Sequence, residues 1–146
     1  MTLELYFRNE WIRKHESSPE EMANLFAIAD RDIEQSQTPG LGPEWRFDIA
    51  YNAALQLAVA ALAAAGYQAE RQSKHQRSIE CLAFTVGSPA QDVDFLDRCR
   101  RKRHVAIYEQ VGAVSDQEAE EMIALSRRLR RQVGDWISRE HPELRR

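Results

Sequence analysis

Ala53-Ala54-Leu55-Gln56-Leu57-Ala58-Val59-Ala60-Ala61-Leu62-Ala63-Ala64-Ala65 is apolar almost all round, with Gln56 as its one interruption. A helix at a protein surface carries a single apolar stripe, whereas a helix apolar on every side belongs at the centre of a bundle. Its many alanines let neighbouring helices approach closely. The run is too short to cross a bilayer, which takes about 20 apolar residues. Upstream, Thr38-Pro39-Gly40-Leu41-Gly42-Pro43 is a breaker, so the central helix is predicted from about Glu44. Gly66 is its expected C-terminal stop.

The segments on either side read as helices that pack against this one. Ser18-Pro19-Glu20-Glu21 combines an N-cap serine, a proline at the first helical position and acids at the positive end of the helix dipole. That helix is predicted to reach about Ser36, with Leu25, Ile28, Ala29 and Ile33 as its stripe. Residues 1–17 mix Leu3, Leu5, Phe7, Trp11 and Ile12 with charges and are expected to form a short helix or an arm. A short helix is predicted over Gln76–Thr85 and a longer one over Ala90–Gln110, closed by Gly112. Ser115-Asp116-Gln117-Glu118 is a capping box that opens a last helix to about Arg139, with Met122, Leu125, Leu129, Val133 and Trp136 inward. No run of alternating β-branched residues is present, and no sheet is predicted. The reading is one all-α domain over residues 1–146, an up-and-down bundle of four to five main helices.

Bulk composition narrows the function classes. The chain has 146 residues and a net charge of −3, so a nucleic-acid contact needs a local basic patch. Two cysteines, Cys81 and Cys99, are too few for a disulfide framework and match no zinc spacing; both read as small buried apolar residues. No phosphate-cradling Gly-rich loop, zincin motif or calcium loop occurs, and no cofactor or metal is expected. The N-terminus lacks a basic stretch followed by an apolar run, which leads to the expectation of a cytoplasmic protein with no membrane partner.

Chemistry is concentrated where helices break their own pattern. The stripe of the 90–110 helix runs Leu96, Cys99, position 103, then Ala106 or Ile107, and position 103 is an arginine. A charge inside an apolar stripe is costly unless paired or functional. Arg100, His104 and Tyr108, four apart, join Arg103 in one polar patch. In the central helix Trp45, Ile49, Leu55, Val59 and Leu62 read as core, but Asp48 and Asn52 sit among them. If the two helices pack together, an Asp and an Asn face an Arg and a His, an arrangement that orients an imidazole for acid–base work. The same residues also fit a solvated basic run, Arg100 to Arg103, with Asp48 and Arg103 as a structural ion pair. His75, in a basic loop, reads as a surface or capping residue. Arg127, Arg128, Arg130 and Arg131 read as a solvated face.

The stretch Asp97-Arg98-Cys99-Arg100-Arg101-Lys102-Arg103-His104-Val105-Ala106-Ile107-Tyr108-Glu109 resembles the signature helix of HEPN domains (higher eukaryotes and prokaryotes nucleotide-binding). Trp45-Arg46-Phe47-Asp48-Ile49-Ala50-Tyr51-Asn52-Ala53-Ala54 resembles their central helix. A Gly-ended helix, a polar loop with His75 and a short helix lead to the signature in the same order, and the resemblance spans roughly residues 18–140. It implies a helical bundle of the HEPN type that dimerises, and a metal-independent endoribonuclease, often a toxin paired with a nucleotidyltransferase. The family motif is an Arg, a polar residue, a short spacer and a His, frequently with a Tyr beyond it. Taking Arg103 as the motif arginine puts His104 at the polar position and Tyr108 where the His is expected. Taking Arg98 instead gives the right spacing to His104 but a poorer register against the apolar stripe. The resemblance thus implies Arg103, His104 and Tyr108 as catalytic residues, with Arg100, Asp48 and Asn52 binding substrate. The implied partners are a second copy of the chain, RNA or a nucleotide, and a nucleotidyltransferase. The Tyr108 departure favours a non-catalytic binding subunit as the alternative.

Overall fold

The computed structural model describes residues 1–109 and 111–145; the side chains of Ile107 and Tyr108 lie outside the described residues. It is a helical bundle built on the expected centre. Helix α3 spans Pro43–Ala64 and runs between α2 (Pro19–Gln35) and α6 (Asp116–Glu140), its two main packing partners. Ala50, Ala53, Ala54, Ala58, Ala60 and Ala61 of α3 are all at most 1% exposed, as its all-round apolar character requires. By length and composition α3 could cross a membrane, yet 72% of its apolar window is buried inside the bundle.

The end signals work as written. The Ser18 hydroxyl accepts from the Glu21 N–H at the start of α2, and Ser115 with Glu118 forms a reciprocal capping box on α6. Gly66 takes φ +95°, a left-handed conformation that closes α3 with no side-chain clash. Helix α5 spans Ala90–Tyr108 and packs on α3 and on α4 (Lys74–Glu80). Helix α4 begins earlier than its pattern suggests and gives way to a 3-10 turn at Cys81–Ala83.

Two expectations are corrected. A small antiparallel sheet exists: β1 (Ile12–Lys14) pairs with β2 (Tyr67–Ala69) in the register Ile12↔Ala69, Arg13↔Gln68, Lys14↔Tyr67. Three-residue strands are too short to show alternation, and they form because Gly66 turns the chain back beside the N-terminal arm. Trp45, read as core, is 56% exposed; Phe47, two residues on, takes the buried place at 1%.

The arm has its own small core. Helix α1 (Leu3–Arg8) and β1 bring Tyr6 and Ile12 onto Leu62, Ala69 and Cys81. Tyr6 meets Trp11 edge-on at 5.0 Å and Phe84 at 5.3 Å. The Tyr6 hydroxyl donates to Glu80 at 3.0 Å, which also pairs with Arg77. The Arg77 guanidinium lies 3.9 Å from the Trp11 ring centre. The main core holds Met22, Phe47, Leu57, Leu96, Met122, Leu129 and Val133.

Candidate functional site

The out-of-pattern arginine of α5 is satisfied by the out-of-pattern aspartate of α3. Arg103 Nε donates to Asp48 Oδ1, and both side chains are only partly exposed, at 31% and 19%. The same guanidinium lies 5.6 Å from the ring centre of Tyr51, one turn beyond Asp48 on α3. Burial pushes the Tyr51 phenol well above its ordinary range, so it remains protonated. Its hydroxyl is 3.4 Å from Nδ1 of His75, at the start of α4. Asp48, Arg103, Tyr51 and His75 therefore form a chain of polar contacts that links α3, α5 and α4.

His75 sits at the inner wall of a cleft of about 430 Å³. Arg71, Gln72, Ser73, Lys74 and Gln76 line one side, and Arg100 of α5 lines the other. Arg71, Lys74 and Arg100 make the cleft a local basic patch on an otherwise acidic chain. The turn that carries Arg71 is fixed by Glu70, whose carboxylate accepts from the N–H groups of Gln72 at 3.0 Å and Ser73 at 3.2 Å. The Gln72 N–H in particular holds the Glu70 carboxyl below its ordinary range. Arg100 gives its Nε to Asp97 at 3.0 Å and is half-buried.

Electrostatics set the state of the imidazole. Burial first, then Arg103, Lys74 and Arg100, lowers the His75 pKa from its ordinary value, so the ring is neutral at neutral pH. With Nδ1 engaged by Tyr51, Nε2 is the nitrogen left to meet a ligand. A neutral imidazole among cations can take a proton from a bound hydroxyl, and the cations can hold a phosphate.

The residues singled out in the sequence part ways here. Asp48 meets Arg103, and Arg100 joins the cleft. Asn52 does not face α5; its amide donates to Asp32 on α2 at 2.7 Å, where it satisfies a carboxylate that is 5% exposed. His104 turns outward, with its side chain 66% exposed and its Nε2 3.4 Å from Glu109. The histidine on the Asp48–Arg103 network is His75, read from sequence as a surface or capping residue. The Tyr108 side chain is outside the described residues. Arg98, the other motif candidate, lies beside Phe95 on a different side of α5, toward α6.

Sequence reasoning also passed over Tyr51. The signal for it was present: Asp48 and Tyr51 are three residues apart, so they share a helix face, and both point at α5. Among the described residues no group of three or more His, Cys, Asp or Glu side chains is placed to hold a metal ion. The chain matches no protein-family model and no curated protein.

Proposed function

We propose that this chain is a HEPN-like bundle that binds a phosphate-bearing ligand, RNA or a nucleotide, in the cleft between α4 and α5. One observation carries the reading: Arg71, Lys74 and Arg100 line the same cleft as a half-buried histidine. Guanidinium forks suit phosphate oxygens. The Arg103–Asp48 pair acts as a strut that sets α5 against α3 and so holds Arg100 opposite His75. The direct test is fluorescence anisotropy with a labelled single-stranded RNA. Binding is expected to weaken with salt and to be lost in Arg100→Glu and Lys74→Glu. Retention in both variants would count against the cleft.

Ribonuclease activity is the second reading, favoured by the neutral imidazole of His75 and its tie to Tyr51. In this reading His75 accepts the proton of a ribose 2′-hydroxyl as that oxygen attacks the adjacent phosphorus; the P–O5′ bond breaks, and the leaving 5′-oxygen takes a proton from water, giving a 2′,3′-cyclic phosphate and a free 5′-hydroxyl. Arg100 stabilises the charge that builds on the phosphate. The test is RNA cleavage in EDTA by folded variants. Activity lost in His75→Ala and Arg100→Ala but kept in His104→Ala supports the cleft. Activity lost in Arg103→Ala and His104→Ala but kept in His75→Ala supports a composite site on paired α5 helices of a homodimer. No cleavage leaves the binding subunit, and copurification with a nucleotidyltransferase is then the expected result.

A further inference from the structure

The β1–β2 ribbon creates a second cavity, of about 370 Å³, between itself, α2, α3 and α4. Its floor is aliphatic. Leu62 and Ala63 lie deep within it, while Leu25 and Val59 are half-buried and border the open space. None of the described lining residues is Phe, Tyr or Trp, and the aliphatic floor offers packing to a flexible chain. Its rim is cationic: Arg13 from β1, with Arg71 and Lys74 from the turn into α4. One carboxylate, Glu21, also lines the cavity; it is held by His15 at 2.7 Å and by the Ser17 hydroxyl at 3.0 Å. The buried residue Ser78, 1% exposed, lines the wall and brings a hydroxyl to it.

We infer that this cavity, which adjoins the His75 cleft and shares Arg71 and Lys74 with it, is a binding site for a carboxylate on a short acyl chain. The aliphatic floor takes the chain, Arg13 and its cationic neighbours take the carboxylate, and Ser78 donates to it. The Glu21 carboxylate disfavours a dianion, which selects a single negative charge. The volume falls within the range of about 300–1,000 Å³ typical of small-molecule sites.

The experiment is isothermal titration of the full chain with sodium octanoate, beside acetate and octylammonium. Octanoate is expected to bind at one site per chain and to weaken as salt rises, whereas acetate and octylammonium do not bind. Val59→Trp fills the cavity and abolishes binding. Arg13→Ser, at an exposed strand position that does not line the His75 cleft, raises the dissociation constant several-fold and leaves the fold intact. No octanoate binding at millimolar concentration, equal binding of octylammonium, or octanoate binding unchanged in folded Arg13→Ser would each overturn the assignment. RNA binding by these variants is expected to be unchanged, so failure here is separable from failure of the cleft.

Discussion

Arg103 occupies a position that the pattern of α5 assigns to an apolar residue, and its neighbours explain how the charge is tolerated. Asp48 neutralises it and the Tyr51 ring covers one side of it. Truncation to Ala strands a partly buried carboxylate, and Arg103→Ala is expected to cost about 1–2 kcal/mol in urea denaturation, between the exposed and fully buried extremes. The double change Arg103→Met with Asp48→Asn removes both charges and is expected to recover most of that loss. His75 gives a signed pH dependence. Its folded pKa lies below the ordinary histidine value, so the unfolded chain binds the proton more readily. The stability that its neutral form provides is complete above the unfolded value of about 6.5 and is lost as pH falls through the lowered one. Thermal unfolding between about pH 5 and 8 is expected to show a flatter acid limb in His75→Gln than in the parent. The sequence exposed the Asp48–Arg103 pair because both residues violate a helical stripe. His75 and Tyr51 violate nothing: an aromatic in a core helix and a histidine in a polar loop are ordinary, and only the approach of α4 to α3 brings them together.

Among the elements, the helices declared themselves through caps and stripes, and the departures have local causes. Ser18, Pro19, the 115–118 capping box and Gly66 each fix an end through backbone chemistry that needs no tertiary partner. The β1–β2 ribbon has no such signature, because its pairing depends on residues more than fifty positions apart. Helix α6 offers a test of propensity against packing. A Cβ built on Gly134 would meet Arg130 Nη1 at 2.8 Å, but that atom is the free end of a flexible side chain. Arg130 would loosen its exposed pairing with Asp30, which is worth little. Alanine gains about 1 kcal/mol of helix propensity over glycine. Gly134→Ala is therefore expected to raise the unfolding free energy by up to about 1 kcal/mol, read by urea denaturation. At the start of the same helix, Ser115→Ala removes the capping box and is expected to cost about 1 kcal/mol.

On the scale of the molecule there are two cores, one around α3 and one under the N-terminal arm, and the cysteines report on them separately. Cys81 lies at 0% exposure beneath Tyr6 and Ile12, and Cys99 at 4% in the main core. Burial is the leading cause that pushes both thiols up to about 12. Deleting residues 1–11 is expected to make Cys81 react with an aromatic disulfide reagent much faster, with Cys99 little changed. Equal acceleration at both would mean that the arm is integral to a single cooperative core.

The ribbon also bears on the order in which the chain can be assembled. Residues 3–14 leave the ribosome before the groups that receive them, from Leu62 to Phe84, which follow only after the intervening helices have been made. At about 5–20 residues per second this leaves Tyr6, Phe7 and Trp11 without their shelter for several seconds. During that interval this stretch of the nascent polypeptide is a sticky aromatic tether, open to chaperone capture. A segment synthesised before its receiving groups is thus among the last to find its place.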